Sequence, residues 1–384
     1  MSPGNHLWHR LLLRASLAMA QIFAWIFVFQ YFFALTDTLE SATISLALTY
    51  ALTQVITILF TPIAAAALRN GYRRLMMFAV LALASAFTVL AASIIGTSYT
   101  VGWGITAFAF LMGVYRAFYW APYRVASERH PARHPLWSEY LLAFLPLIAG
   151  FILDGGGASA IILLAIAAAF ALAAIIPLFS MRDTHEGFAW GYRESVHQLF
   201  VGSHRRATIS SMLHGIEMSL LLIVWPVIVF VILGWSYALL GIVLSLIYIL
   251  SLLVRSIVRP AASHFSAPTR ALLAASAWII RLSVVGSVGI ILVDLYYYGA
   301  SNASSRGFDM MTLEHAADNT TYVDEYTVLK EISMAMGRLI MSLTIAILAS
   351  YMSITVTFGI VFLIGALAAA GGVLFSARAK KIRI

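Results

Sequence analysis

The feature that most constrains this chain is its rhythm of apolar runs, each long enough to cross a bilayer, broken by short polar stretches. A helix needs about 20 consecutive apolar residues to span the hydrocarbon core. Such runs fill most of the 384 residues, 62% of which are hydrophobic and only 10% charged. A soluble domain carries about 25% charged residues. A water-soluble fold has no interior large enough for this much apolar surface, so lipid is the implied solvent and an all-α membrane protein the implied class.

Two further counts exclude other classes. The chain has no cysteine, which removes disulfides and Cys-based metal or nucleophile sites. The formal charge of +8 sits in short loops between apolar runs. That placement reads as membrane orientation, and no nucleic-acid partner is expected. No cofactor or metal is expected either. The N-terminus has basic residues before an apolar run, as a signal peptide does. The run from Ala15 to Leu35 is longer than an h-region and ends in large aromatics, so it reads as a retained first helix.

The runs predict helices near 13–35, 43–67, 75–96, 100–121, 137–154, 158–180, 207–232, 236–258, 270–287, 289–311, 328–350 and 354–377. The ninth and tenth come from one continuous run, cut at Gly286 and Gly289. Arg69, Arg73, Arg74, Arg193, Arg205, Arg255, Arg259 and the tail "ARAKKIRI" then fall on one side, and Asp37, Glu40 and Asp154 on the other. The Lys/Arg excess marks the cytoplasmic side, so both termini are expected there. Compact length and this bias suit a prokaryotic cytoplasmic (inner) membrane.

The longest polar stretch, 180–206, lies at the middle of the chain. It predicts an N-terminal six-helix bundle (1–180), a cytoplasmic linker (181–206) that can hold an interfacial helix, and a C-terminal six-helix bundle (207–384). A weak internal repeat supports two pseudo-symmetric bundles. "SERHPARHPLWSEY" (127–140) aligns with "LEHAADNTTYVDEY" (313–326), matching Glu128 with Glu314, Glu139 with Glu325 and Tyr140 with Tyr326. Both segments link the fourth and fifth helices of their group.

This plan resembles the major facilitator superfamily. The resemblance rests on the six-plus-six arrangement, the central linker, and "LRNGYRR" after the second helix, where the family has approximately G-x-x-x-D-R-x-G-R-R. Arg69, Gly71, Arg73 and Arg74 fit that pattern, while Leu68 stands where the family has its Asp. The resemblance implies a secondary transporter, not an enzyme, that moves a small-molecule substrate by alternating access. Its partners would be the lipid bilayer, the solute and, for coupling, H+. Two other readings stay open: a non-transporting receptor or scaffold on a transporter fold, and a membrane-embedded lipid enzyme.

Ionisable residues inside spans are functional candidates because they are costly in lipid. Glu217 lies half way along the seventh helix, with His214 three residues before it on the same face. A proton-carrying role and a structural salt bridge to Arg338 both fit Glu217. Arg281 and Asp294 can pair across the ninth and tenth helices, and Asp294 is also a substrate or coupling candidate, because the tenth helix is expected to face the cavity. Arg338 is an anion-binding candidate, and Asn302 a substrate contact or a packing residue. Trp25, Tyr31, Trp225 and Tyr297 can line a pocket or pack.

The acids near 313–331 are placed against the positive trend of their side. Carboxylates at helix starts can simply cap. The sharper expectation is a cytoplasmic gate, with Arg69, Arg73 and Arg74 facing Asp324, Glu325 and Glu331, and Arg255 and Arg259 facing Glu128 and Glu139.

Overall fold

The computed structural model describes residues 3–129, 136–181, 183, 190–202, 204–262, 265–300 and 324–380. Every regular element among them is helical. The sequence dictates this: without water, a backbone must satisfy its own N–H and C=O groups, and a helix does so within one segment. In chain order the elements are α1 (Pro3–Thr36), α2 (Leu39–Ala66), α3 (Tyr72–Ile94), α4 (Ser98–Arg129), α5 (Leu136–Ala143) and α6 (Leu145–Asp154). Then come α7 (Ser159–Ala173), α8 (Ile176–Phe179), α9 (Tyr192–His197), α10 (Arg205–Ser219), α11 (Trp225–Ile232) and α12 (Tyr237–Ala262). The last four are α13 (Ala267–Ile280), α14 (Gly286–Ala300), α15 (Asp324–Tyr351) and α16 (Ile354–Lys380).

Ten helical stretches are long and apolar enough to cross a membrane. The expected ninth and tenth, α13 and α14, have 14 and 15 described residues and fall short of that length. The remainder of the run expected to reach 311 lies outside the described residues. The cut at Gly286 is real: its φ of +71° begins α14, a conformation open to glycine at little cost. Two expected helices are interrupted. The one at 137–154 breaks at Phe144, because Pro146 opens α6 and has no N–H to continue the preceding ladder. The one at 158–180 breaks before α8, which Pro177 opens in the same way.

Among the N-terminal helices, α3 packs on α4 and α7, α2 on α4, and α1 on α2 and α7. Among the C-terminal helices, α10 packs on α15 and α16, α13 on α14 and α16, and α12 on α14. Two long contacts join these groups: α2 runs along α15, and α6 along α12. The most apolar window of α1 is 83% buried and that of the Arg205–Ile232 stretch 78%, against 33% for α16. So α1 and α10–α11 run through the middle. The outer helices turn residues such as Leu48, Phe151, Leu272 and Leu367 outward, where lipid is as good a solvent as a core.

Glycines set the closest crossings. A Cβ on Gly150 would stand 2.5 Å from the Tyr237 carbonyl oxygen and 3.0 Å from the Cα of Gly241. Here α6 and α12 touch backbone to backbone. A Cβ on Gly215 would strike the Met334 carbonyl, and one on Gly337 the Met212 carbonyl, which fixes α10 against α15. Small residues permit this approach where no hydrophobic effect drives helices together.

One face of the molecule carries the start of α1, the α2–α3 turn and α9; it holds Arg69, Arg73, Arg74 and Arg193 and is called the basic face below. The far face carries the turns at Asp37, Gly156 and Trp235.

Candidate functional site

Three groups of buried polar residues stand out between α1 and α16. The first is centred on Glu217, at the end of α10. Just beyond it, Leu220–Val224 form a π-helical turn. Pro226 explains it, since it lacks the N–H that a regular turn would donate back to Leu222. On a regular helix Glu217 and Trp225 would lie about 80° apart around the axis. The wide turn brings them toward one side, where α13 and α14 wait.

There the Glu217 Oε1 accepts from the Tyr297 hydroxyl at 2.8 Å and from the Trp278 indole N–H at 3.2 Å. His214 Nδ1 stands 3.7 Å from Oε2. Arg281 donates to Asp294 Oδ1 at 2.6 Å, with both side chains at most 4% exposed. Trp225 donates to Asp294 Oδ2 at 2.9 Å. The Arg281 guanidinium carbon also lies 4.4 Å from the Trp278 ring centre, 4.6 Å from that of Tyr297 and 4.9 Å from that of Trp225. Its Nε and Nη1 have no hydrogen-bond acceptor among the described residues. Ring faces hold that side of the cation instead. His214, 28% exposed at its side chain, is the accessible end of this network, and Arg281 is the enclosed end.

The expected Arg281–Asp294 pair is therefore present, and the expected Glu217–Arg338 pair is not. The reason is helical phase. Gly215 faces α15, and Glu217, two residues on, points about 160° away from it. Arg338 is buried on α15 and is not a partner of Glu217. Trp225 and Tyr297 belong to this network rather than to an open pocket.

The second group joins the N- and C-terminal helices near the basic face. Arg14 of α1 binds Glu139 of α5 with two hydrogen bonds, Nη1 to Oε1 at 2.8 Å and Nη2 to Oε2 at 2.6 Å. The Tyr248 hydroxyl of α12 accepts from Arg14 Nη2 at 2.8 Å and donates to Glu139 Oε2 at 3.1 Å. Arg14 and Tyr248 are each 2% exposed. At the far face the link is aromatic. Trp235, at φ +64° in the α11–α12 turn, stacks on Phe29 of α1 with ring centres 5.9 Å apart and meets Phe33 at a tilt with centres 4.8 Å apart. Tyr237 hydrogen-bonds Gln30, and the Glu40 carboxylate accepts from the Ile354 N–H at 3.0 Å.

The gate residues are distributed differently from the expectation. Arg73 does not face α15. Its backbone N–H donates to Asp183 Oδ1 at 3.1 Å, and its Nη1 to the Met181 carbonyl at 3.1 Å. The α2–α3 turn folds back on the segment after α8, and Gly71 leaves room for the Asp183 carboxyl. Arg69 and Arg74 are exposed on the basic face, and Glu331 is buried in the second turn of α15. Glu139 takes Arg14 and Tyr248 as partners. Arg255 and Arg259 lie on the last turns of α12, Glu128 at the end of α4, and Asp324 and Glu325 at the start of α15; their side chains fall outside the described residues. All of Asn302 does too.

The third group borders a narrow cleft between α2, the π turn with α11, α15 and α16, lined by Thr43, Tyr50, Ser219, Val227, Ser342 and Phe358 among others. Behind it, Arg116 of α4 donates to the Tyr50 hydroxyl at 3.2 Å and lies 5.5 Å from its ring centre. Trp25 meets Tyr50 edge-on at 5.3 Å.

Neither a protein family nor a curated protein matches the sequence. Solved structures do match in shape. The xylose transporter XylE from E. coli, partially occluded and inward open, superposes with TM-score 0.64 at 14% identity, over 96% of this chain and 95% of that one. The nucleoside transporter NupG gives TM-score 0.60 at 14% identity, over 98% and 99%. The human organic anion transporter MFSD10 gives 0.55 at 13%, over 96% and 98%. This is the major facilitator fold. In that fold the Glu217 and Arg281–Asp294 groups belong to the packing of the C-terminal helices, and the Arg14 and Trp235 groups to the seam they share with the N-terminal ones. Arg14, Tyr248 and Trp235 of the seam were not singled out from sequence. For Arg14 a signal existed: it follows Arg10 by four residues, on one face of a helix.

Proposed function

We propose that this protein is a secondary active transporter of a small solute, working by alternating access. The two moving bodies are a six-helix bundle of residues 1–180 and one of residues 207–384, making twelve spans with α13 and α14, joined by the 181–206 linker. The observation that carries this reading is the seam: N- and C-terminal helices are tied at the basic face by Tyr248 against Arg14 and Glu139, and at the far face by Trp235 and Tyr237 against α1. Each tie closes one end of a seam along which α2 packs on α15 and α6 on α12, and alternating access requires one end to part while the other holds. Whole-chain likeness to the major facilitator fold supports the same reading. Alternating access requires closing elements at both ends of a central path.

The orientation that fits the Lys/Arg excess puts the basic face and both termini in the cytoplasm of a prokaryotic inner membrane. Protons are the proposed coupling ion, with Glu217 as carrier and His214 as its accessible neighbour. Asp294 is then a structural partner of Arg281. Arg338 and Asn302 remain proposed solute contacts. The remaining gate residues (Arg69, Arg74, Arg255, Arg259, Glu128, Asp324, Glu325 and Glu331) are proposed to close the cytoplasmic side around the Tyr248 tie.

The test is uptake into proteoliposomes of a panel of radiolabelled solutes, with and without an inward proton gradient, for wild type and Glu217→Gln. Gradient-driven uptake lost in Glu217→Gln is expected. Uptake that ignores the gradient removes proton coupling, and no uptake of any solute removes the transporter.

A further inference from the structure

The linker turns an apolar stripe outward on the basic face, among arginines that have no acid to pair with. Helix α9 packs on α2 and α15, and a turn continues it to Phe200. Ser195 and Leu199 are buried, at 1% and 4% exposure. Tyr192, Val196 and Phe200, each four residues after the last, are exposed instead, Phe200 by 73%. Trp190 meets His204 with ring centres 6.1 Å apart. That contact folds the linker back onto the start of α10, where Arg205 and Arg206 are exposed. Arg193 on α9 is exposed too, and none of these three arginines forms an ion pair among the described residues. Glu194, the one acid of α9, is taken by its neighbours: Gln198 donates to its Oε1, and His197 Nδ1 stands 3.9 Å from that atom.

Helix length sets the depth of this region. The stretch Arg205–Ile232 has 28 residues. At about 1.5 Å each it is about 42 Å long, against about 30 Å of hydrocarbon. Its first two turns hold Arg205, Arg206, Thr208, Ser210 and Ser211, so this is the end that projects among the headgroups. The linker joins that end directly.

We propose that the outward side of the linker is a docking surface for anionic phospholipid headgroups. Tyr192, Val196 and Phe200 enter the boundary between headgroups and acyl chains, as the apolar side of an interfacial helix does. Arg193, Arg205 and Arg206 meet the phosphates. A zwitterionic leaflet offers the same apolar boundary without net charge and holds the linker less firmly. Depth and charge favour lipid over a soluble protein, which would have to reach the stripe through the headgroups. The proposal does not depend on what the chain transports.

The chain's lack of cysteine gives a direct test. Val196→Cys carries a nitroxide, and the full chain is placed in nanodiscs of phosphatidylcholine alone or mixed with phosphatidylglycerol. Collisions of the nitroxide with oxygen, which concentrates in lipid, are compared with those with a neutral nickel complex, which stays in water. With phosphatidylglycerol present, oxygen is expected to dominate. Arg193→Gln, Arg205→Gln and Arg206→Gln together are expected to shift the balance toward the nickel complex, by about fivefold in the docked-to-undocked ratio per arginine. High salt on the unsubstituted arginines should shift it the same way, which keeps the test decisive if the triple variant fails to fold. Leu48→Cys, on the outer side of α2, is the control and should not respond to phosphatidylglycerol. Equal oxygen collisions with and without phosphatidylglycerol overturn the anionic preference. Dominance of the nickel complex in both mixtures overturns docking. Shielding from both reagents means that protein covers the stripe, a second copy or another segment, and overturns the proposal as well.

Discussion

The hydroxyl of Tyr248 donates to Glu139 at 3.1 Å across the line where α12 meets α5. The carboxylate is already neutralised by Arg14 from its own group of helices. The C-terminal helices therefore contribute only a phenol to a buried charge, and can leave without stranding it. A salt bridge across the same line would expose two uncompensated ions at each separation.

Removing that phenol and removing the arginine should thus differ. Tyr248→Phe loses a hydrogen bond to a charged group, worth about 1.5–3 kcal/mol, and only in the arrangement closed at the basic face. Arg14→Leu leaves Glu139 without its counter-ion and should cost about 3–5 kcal/mol. Thermal unfolding in detergent will rank Arg14→Leu well below Tyr248→Phe. Thiol labelling at the basic face will rise in Tyr248→Phe while its fold is retained. Equal losses of stability would assign Tyr248 to packing.

The caged pair of Arg281 and Asp294 should behave as one unit. Asp294→Asn leaves a desolvated guanidinium with rings on one side and a neutral amide on the other, at a cost of about 3–5 kcal/mol. The double change Arg281→Met with Asp294→Asn removes both charges and should cost less than the sum of the single changes. A double-mutant cycle on unfolding in detergent measures the coupling; additive losses would deny the pairing. Arg281→Lys should not rescue, because an ammonium lacks the planar face that stacks on three rings.

At Glu217 charge and hydrogen bonding can be separated. Glu217→Gln keeps a carbonyl oxygen for Tyr297 and Trp278, so it should fold with near-native stability while uptake loses its response to pH. Glu217→Leu strands two buried donors, at about 1–3 kcal/mol each, and should unfold at lower temperature. Wild-type pH dependence in Glu217→Gln would confine this carboxyl to a structural role.

Gly150→Val tests the backbone crossing of α6 and α12. Its Cβ would stand 2.5 Å from the Tyr237 carbonyl oxygen, and overpacking of this kind costs about 1–3 kcal/mol. The crossing lies at the Tyr237 end of α12, toward the far face. The variant should therefore favour separation there, read as faster labelling of a thiol introduced at Gln30. Unchanged labelling would mean that α6 and α12 do not part at this level.

The apolar runs made most of the helices legible, because in lipid the length of a run and the fate of the backbone are nearly the same question. The Arg281–Asp294 pair was legible for a related reason: two opposite charges in adjoining spans have few alternatives to each other. The partners of Glu217 were not. Which neighbour a helical residue faces depends on phase, and Pro226 shifts the phase of this helix through a π turn that periodicity alone does not announce. Arg73 was misassigned for another reason. The short reach from the α2–α3 turn to Asp183 depends on how the chain returns after α8, a tertiary fact. Arg14 went unremarked because it stands near the start of a span, where arginines usually reach for solvent.

The π turn at Leu220–Val224 lets one helix be read in two frames. Before it, Gly215 fits against α15 and Glu217 reaches α13 and α14; after it, Trp225 reaches the same neighbours as Glu217, while Ile223 and Val227 border the cleft. Such a turn is equivalent to one residue inserted into a regular helix. Deleting a single leucine from it and replacing Pro226 with alanine would restore ordinary winding and swing everything beyond by about 100°. The indole of Trp225 would leave Asp294, and a different set of side chains would face α2. Two changes in one helix would thus rewrite the cleft without altering any residue that lines it.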